Sequence, residues 1–202
     1  MVDSEVGLRE RKKRRTRQAL AEAALRLFAE RGYDHTTVAD IAAAAEVSTR
    51  TFFAYFPTRE DVVFADTDER LDAMRQALAA LPDGTSPIRA IHQMVERVFA
   101  TPGAVFGPDR ATRTALVLGR PELRAKALDR LLAAQQEFAM WLRATYPTLD
   151  AVASATVSGA LIGGLVGAAL ASLERGDPAE HIRAELERAV ALMERGLRGF
   201  DG

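Results

Sequence analysis

Cysteine is absent from this 202-residue chain, and the absence narrows the possible functions. Without cysteine the chain forms no disulfide bond, offers no thiolate nucleophile and supplies no cysteine ligand to a metal, which is consistent with a reducing compartment such as the cytoplasm. The first ten residues contain acids and no apolar run, so we expect no secretory signal there. The hydrophobic fraction of 48% is that of an ordinary globular chain with a buried core.

Catalytic and metal-binding patterns are also missing. The three histidines, His35, His92 and His181, stand far apart in the sequence and lack the spacing of metal ligands. No Gly-x-Ser-x-Gly element is visible. We therefore predict that the protein has no metal site, needs no cofactor and is not an enzyme.

Strand patterns are scarce as well. Alternating runs of β-branched residues are nearly absent, whereas Ala, Leu, Arg and Glu are abundant and Gly and Pro recur at helical distances. The sequence therefore predicts an all-α fold of about nine helices. We expect the first long helix to carry an apolar face from Leu20 to Phe28 and to end at Gly32, and a longer helix to begin at Thr58.

Positive charge is concentrated in one short segment, although the net charge is only −1. Residues 9–17, RERKKRRTR, hold seven basic residues and one acid. This basic arm favours a polyanionic partner such as nucleic acid at the amino-terminal end. A solubilising tail is the alternative interpretation.

Residues 38–56 have the pattern of a helix-turn-helix. Thr37 is placed to cap the first helix, with Asp40 in the third position of a capping box. Ile41 supplies an apolar contact to the inner face. Ser48 is a suitable N-cap for the second helix.

The second helix, within STRTFFAYF (48–56), divides into two faces at 100° per residue. Phe52 and Phe56 fall on one face and are expected to pack against the preceding helices. Arg50, Thr51, Ala54 and Tyr55 fall on the other face. That face presents donors that suit base edges and phosphates.

The stretch TRQALAEAALRLFAERGYDHTTVADIAAAAEVSTRTFFAYFPTREDVVF resembles the amino-terminal DNA-binding domain of the TetR family of transcriptional regulators. The resemblance implies a DNA-binding domain at 1–57 and a helical regulatory and dimerisation domain at 58–202. It implies phosphate contacts from the start of the first helix-turn-helix helix, base contacts from 49–51 and backbone contacts from the basic arm. The residues implied in DNA binding are Arg14, Arg15, Arg17, Thr37, Ser48, Thr49, Arg50, Thr51, Phe53, Tyr55 and Arg59.

Two positions depart from the family pattern. Glu46 stands in the turn where members usually carry glycine, a position that favours a positive φ. Phe53 stands where tyrosine is common, so a phenol-to-phosphate hydrogen bond is missing and plain packing is an equal alternative.

Residues 151–173, AVASATVSGALIGGLVGAALASL, contain no charge. A membrane span, a phosphate-binding loop and a helix at a subunit interface are the three interpretations. Four glycines and several hydroxyl residues disfavour the span, and no lysine follows glycine as a phosphate loop requires. We predict an interface helix and no membrane partner, since the resemblance implies a homodimer formed through the last two helices. The expected interface residues are Gly159, Gly163, Gly167, Leu170, Leu186 and Met193.

The middle helices carry large apolar residues that are candidates for an effector cavity. The expected lining residues are Met74, His92, Met94, Phe99, Phe106, Arg113, Phe138 and Trp141. Because most of these are apolar, the sequence favours a lipophilic effector. The resulting hypothesis is a dimeric, ligand-responsive repressor that binds a palindromic double-stranded DNA operator in the cytoplasm. A regulator without a ligand, or an activator, is the alternative.

Overall fold

The computed structural model describes residues 2–100, 110–177 and 179–197. Within these ranges the backbone forms nine α-helices and one 3-10 turn, with no strand, which confirms the all-α prediction. The helices are α1 Val2–Arg31, α2 Val38–Ala44, α3 Thr49–Tyr55, α4 Ala65–Ala79, α5 Pro87–Ala100, α6 Arg110–Gly119, α7 Pro121–Thr145, α8 Ala151–Glu174 and α9 Ala179–Leu197.

The chain divides into two compact units, and the amino-terminal unit comprises 1–69 and 107–124. In it α2 packs against both α1 and α3, and α6 packs against α1. Leu20, Leu27 and Phe28 are buried, which confirms the expected apolar face of α1. Gly32 ends the helix with φ 88°, and its amide donates to the Phe28 carbonyl at 3.1 Å.

The basic arm is part of the first helix. Residues 9–17 belong to the thirty-residue α1, whose backbone continues from Val2 to Arg31 without a break. Arg, Lys, Ala, Leu and Glu are strong helix formers, and α1 contains neither proline nor a strong stop signal before Gly32. The basic segment is therefore the first half of a long helix.

The helix expected to begin at Thr58 begins instead at Ala65. A 3-10 turn, Glu60–Phe64, precedes it and buries Val62 and Val63 completely. The Thr58 amide and hydroxyl both donate to Asp61, at 3.0 and 2.8 Å, and this pairing fixes the start of the turn. The chain thus remains in the amino-terminal unit past Pro57. The boundary at Pro57 between a DNA-binding domain and a regulatory domain stays a prediction.

The carboxy-terminal unit comprises 70–106 and 125–202. Its core joins α4, α5, α7, α8 and α9, with Phe138 and Leu142 of α7 and Leu161 of α8 buried at the centre. Prolines 87 and 121 begin α5 and α7, as their sequence positions predict. The expected stop after α8 is confirmed by Gly176, which has φ 69°.

Candidate functional site

The amino terminus of α2 is closed by the capping box that the sequence predicts. The Asp40 amide donates to the Thr37 hydroxyl oxygen at 3.1 Å, and the Thr37 amide donates to Asp40 Oδ2 at 2.9 Å. Hydrogen bonds from the Thr37 side chain and backbone lower the pKa of Asp40 below its ordinary value. Asp40 thus engages both the amide and the hydroxyl of Thr37. The phosphate contact implied for Thr37 would have to share these two groups with Asp40. That contact stays a prediction.

Helix α3 separates its aromatic residues as its sequence predicts. Phe52 and Phe56 are 0% and 1% exposed, and their ring centroids are 5.6 Å apart. Phe53, in contrast, is 54% exposed and meets Phe52 edge to face at 5.5 Å. The buried pair fastens α3 to the unit, and Phe53 remains available for a partner.

The outward face of α3 carries hydrogen-bond donors. The Thr51 amide donates to Ser48 Oγ at 3.0 Å, which confirms Ser48 as the N-cap, and the two hydroxyls lie 2.9 Å apart. Thr49 and Arg50 are exposed and Tyr55 is half-buried. The surface therefore offers a guanidinium and hydroxyl groups to an approaching partner.

The turn before α3 has the positive φ that is expected where TetR-family members usually carry glycine. Glu46 has φ 56°, within the left-handed region, and is the positive-φ non-glycine residue of the described chain. A side chain in this region costs about 1–2 kcal/mol of backbone strain. The turn keeps its shape because α2 and α3 pack against each other on either side of it.

Two arginines implied in phosphate binding have partners inside the protein. Arg17 Nη1 donates to the Tyr55 carbonyl at 3.0 Å, and its guanidinium lies 4.4 Å from the centroid of the Phe56 ring. Arg59 Nη1 donates to the Thr36 carbonyl at 2.9 Å. Both guanidiniums stabilise the framework around α3, whereas Arg14 and Arg15 are exposed on α1. Phosphate contacts by these four residues stay predictions.

A cluster that sequence reasoning missed surrounds Tyr33, in the turn between α1 and α2. We call Tyr33, Asp34, Arg59 and Arg120 the Tyr33 cluster. The guanidiniums of Arg59 and Arg120 lie over the Tyr33 ring, 4.2 and 4.6 Å from its centroid. Arg120 also binds Asp34 with two parallel hydrogen bonds, Nη1 to Oδ1 at 2.9 Å and Nη2 to Oδ2 at 2.7 Å.

Two pKa shifts reflect this environment. Burial, together with the nearby Glu60 carboxylate, raises the pKa of Tyr33 to about 12, and the Tyr33 hydroxyl donates to Glu60 at 3.1 Å. The hydrogen bonds from Arg120 lower the pKa of Asp34. Asp34 and Arg120 are 86 positions apart, and no periodic sequence pattern predicts an ion pair between residues at that separation. The only local signal is an aromatic residue directly after the helix-ending Gly32.

The residues expected to line an effector cavity lie in different surroundings, and their role in ligand binding stays a prediction. Met74, Met94 and Phe138 are buried in the core of the carboxy-terminal unit. Arg113 belongs to the amino-terminal unit, where it pairs with Asp66. His92 and Trp141 are half-buried. Phe106 and the side chain of Phe99 lie outside the described residues.

Two clefts in the carboxy-terminal unit nevertheless share the indole of Trp141. The larger has a volume of about 530 Å³ and lies where the α4–α5 turn faces the end of α7, with Leu78, Trp141 and Tyr146 in its lining. The smaller, about 200 Å³, is lined by Met74, Trp141 and the Arg75–Glu137 ion pair, among others. Tyr146 meets Trp141 edge to face at 5.7 Å. Of the residues expected to line an effector cavity, Met74 and Trp141 thus border one or both of these clefts.

The glycines of α8 do not share one environment. A Cβ on Gly159 would lie 3.0 Å from Gln135 Nε2 of α7, and one on Gly164 would lie 3.0 Å from Met193 Sδ of α9. Gly163 and Gly167 face open space. Of the other expected interface residues, Leu186 is buried in the protomer core and Leu170 is half-buried. Open faces at Gly163 and Gly167 are what an approaching helix requires.

Helix α8 is also apolar over most of its length. Within the described residues, Ala151–Ser172 is long and apolar enough to cross a membrane, and only 22% of it is buried. Its outward stripe of Val152, Thr156, Ala160, Gly163 and Gly167 is uncharged and exposed. Its other sides pack along α9 and against α7, where the Ser158 hydroxyl donates to the Gln135 carbonyl at 2.7 Å. Ser154, Ser158 and Ser172 are buried.

Comparison with known sequences identifies the domain around α2 and α3. The family model "Bacterial regulatory proteins, tetR family" matches residues 20–65. The HTH-type transcriptional regulator TcmR of Streptomyces glaucescens is 40% identical over 129 residues, which are 61% of this chain and 57% of that protein. LuxR of Vibrio harveyi, another HTH-type transcriptional regulator, is 55% identical over 47 residues, 23% of each chain. These alignments span little more than half, or less, of the relatives' length.

Solved structures share the fold of the whole chain. A protein described as a TetR-family transcriptional regulator of Mesorhizobium loti has a TM-score of 0.60 at 16% identity, with 88% of this chain and 94% of that chain covered. The fatty acid degradation regulator FadR of Bacillus halodurans has a TM-score of 0.57 at 20% identity, with 87% and 94% covered. The sequence relatives are described as transcriptional regulators, which supports the prediction that this chain is not an enzyme.

Proposed function

We propose that this chain, whose residues 20–65 match the model of the TetR family of bacterial regulatory proteins, is a homodimeric, ligand-responsive repressor of that family that binds a palindromic DNA operator. The observation that carries the proposal is α3, which is fastened by buried Phe52 and presents Arg50 and Thr49 outward. A cytoplasmic location follows from this role.

DNA binding in this proposal has two parts. Arg50 reads a base, because a guanidinium can bind the O6 and N7 atoms of guanine bidentately in the major groove. Arg14 and Arg15, exposed on the first half of α1, neutralise phosphates without regard to sequence. The two contributions are separable by experiment, since only the second changes the salt dependence of binding.

Dimerisation in this proposal uses the uncharged outward stripe of α8. Such a stripe is costly to leave in water, and Gly163 and Gly167 allow a partner helix to approach closely. Two recognition helices read successive major grooves when they lie about 34–36 Å apart, one turn of DNA, and a two-fold dimer provides that spacing. The operator is therefore a palindrome.

The effector in this proposal binds the cleft beside Trp141. Leu78, Trp141 and Tyr146 give the lining an apolar part that suits a lipophilic molecule, and Asp83, Thr85, Ser86 and Thr145 give it a polar part. A volume of about 530 Å³ is within the range of small-molecule sites. An effector releases DNA if it binds more tightly to a dimer whose recognition helices have a different spacing.

Selection of bound sites from a random pool of duplex DNA tests the proposal. We expect enrichment of a palindrome whose half-sites are centred about 10 base pairs apart. Enrichment of a single unpaired half-site would contradict dimeric binding, and no enrichment would contradict operator recognition. A thermal-shift screen of lipophilic compounds then separates the ligand-responsive form from a regulator without a ligand, because an effector stabilises the protein and also releases the selected duplex.

A further inference from the structure

Helix α6 is held to the amino-terminal unit by an ion pair near each end. Arg113 pairs with Asp66 at the start of α4, and both side chains are mostly buried. Arg120, directly after α6, forms the two-bond pair with Asp34 in the turn between α1 and α2. Because these two pairs fix both ends, α6 lies against α1 in a defined orientation.

Arg120 acts on the segment that leads into the helix-turn-helix. The turn contains Tyr33 and Thr36, both buried, and the Thr36 hydroxyl donates to the Gly32 carbonyl at 2.9 Å. Arg59 closes the same turn through the carbonyls of Tyr33 and Thr36, at 3.2 and 2.9 Å. Arg120 is the member of the Tyr33 cluster that comes from outside the first sixty-five residues.

We propose that Arg120 is a positioning residue for DNA binding: by pairing with Asp34 and stacking on Tyr33, it holds the turn that sets the position of α2 and, through it, of recognition helix α3. This inference rests on the proposed function, in which α3 reads DNA. It also makes operator affinity depend on the α6–α7 junction, since Arg120 directly precedes α7.

A structural role alone does not account for this arrangement. The Asp34 side chain is 66% exposed, and ion pairs at such exposure contribute little to the free energy of unfolding. The effect of breaking the pair is therefore expected in DNA affinity and not in the melting temperature.

The direction in which Asp34→Asn changes DNA affinity distinguishes two explanations. If charge alone mattered, Asp34→Asn would tighten DNA binding, because it removes a negative charge from the DNA-binding unit. If the pair positions the turn, the same substitution weakens binding. Arg120→Lys keeps the positive charge but loses the two-bond geometry and the stacking, so it is also expected to weaken binding.

The experiment measures the dissociation constant for the selected duplex across a salt series, the melting temperature, and hydrogen exchange of the amides of residues 33–44. The proteins are wild type, Asp34→Asn, Arg120→Lys, the double variant, and Arg124→Gln as a control that removes an exposed positive charge one helical turn further on.

We expect both single variants to bind the duplex about three- to tenfold more weakly, with an unchanged salt slope and faster exchange in the turn. The double variant should be no weaker than the weaker single variant, because the two residues form one pair. Arg124→Gln should resemble wild type.

Tighter binding by Asp34→Asn would overturn the inference, because it indicates simple charge. Wild-type affinity in Arg120→Lys would also overturn it, because that variant keeps the charge and loses only the two-bond geometry and the stacking. If wild type selects no duplex, the proposed function fails, and hydrogen exchange still decides whether Arg120 holds the turn. Equal exchange in wild type and both single variants would then reject it.

Discussion

Arg50 is the residue of α3 whose chemistry best suits base recognition. It is exposed on the face opposite the buried Phe52, and neither hydroxyl neighbour offers a planar two-donor group. The rest of that face is suited to phosphate and sugar contacts, which position a protein without reading sequence. In the proposed function, affinity and specificity therefore depend on different residues.

We expect Arg50→Ala to lose discrimination at one base pair of each half-site, worth about 1–3 kcal/mol, while weak non-specific binding remains. Competition between the selected duplex and a scrambled one measures the loss. Arg15→Ala is the matched comparison, since it should weaken binding to both duplexes and lower the salt slope by about one. An Arg50→Ala protein with its preference intact would show that the base reader lies elsewhere.

Glu46 is the residue where local strain is visible. Its φ of 56° costs a non-glycine residue about 1–2 kcal/mol, and its side chain is exposed and has no packing to lose. Glu46→Gly removes this strain but increases the entropy of the unfolded chain. The net stabilisation should therefore be up to about 1 kcal/mol, which corresponds to a melting temperature higher by about 2–4 °C. Thermal unfolding measures this. Glu46→Ala keeps the strain, so an equal gain from that variant would contradict the explanation.

At the scale of elements, α8 has three different environments along one helix. Its Gly159 side meets α7, its Gly164 side meets α9, and Gly163 and Gly167 face open space. A substitution on this helix therefore affects either packing within the protomer or contact with a partner protomer, depending on which side of the helix it occupies.

Gly163→Leu should give a folded monomer, because the added side chain meets nothing inside the protomer but obstructs a second α8. Light scattering coupled to gel filtration measures the mass, and circular dichroism checks the fold. Gly164→Leu is the control: it collides with Met193 and should lower the melting temperature of the protomer instead. A Gly163→Leu dimer of normal size and DNA affinity would remove α8 from the interface.

At the scale of the whole molecule, acid stability depends on carboxylates in both units. The pKa values of Asp34, Asp40, Glu60, Glu137 and Asp177 are all lowered in the folded protein. A carboxyl with a lowered folded pKa stabilises the protein above its ordinary pKa and loses that contribution as the pH falls through the folded value. The molecule should therefore lose stability below pH about 4.5.

Glu137 isolates one of these contributions. Hydrogen bonds from Arg75 of α4 lower its pKa, and Arg75 Nη2 lies 2.8 Å from Glu137 Oε2. Glu137→Gln should lower the melting temperature at pH 7 by about 1–3 °C, since partly exposed pairs contribute about 0–1 kcal/mol. The difference from wild type should shrink as the pH falls below about 4.5, where the wild-type carboxyl protonates too. A difference that stays constant to pH 3 would assign the effect to packing.

The sequence by itself determined the helices around the DNA-binding face. The Thr37–Asp40 box, the Ser48 cap and the division of α3 into two faces all depend on residues within one or two turns of each other, so their spacing is enough to predict them. The positive φ at Glu46 was instead implied by the resemblance to the TetR family, whose members usually carry glycine there. Helix propensity also favours the helical conformation of the basic arm, since Arg and Lys are good helix formers.

Only the tertiary structure decided which side of α8 is open, which large apolar residues are buried in the core and which border a cleft, and that Arg120 meets Asp34. Each of these depends on which side chains from distant helices occupy the same space. A helical period specifies which residues share a face, but packing with other helices decides what that face meets. Residues 86 positions apart form an ion pair because α6 lies against α1, and no spacing rule encodes that contact.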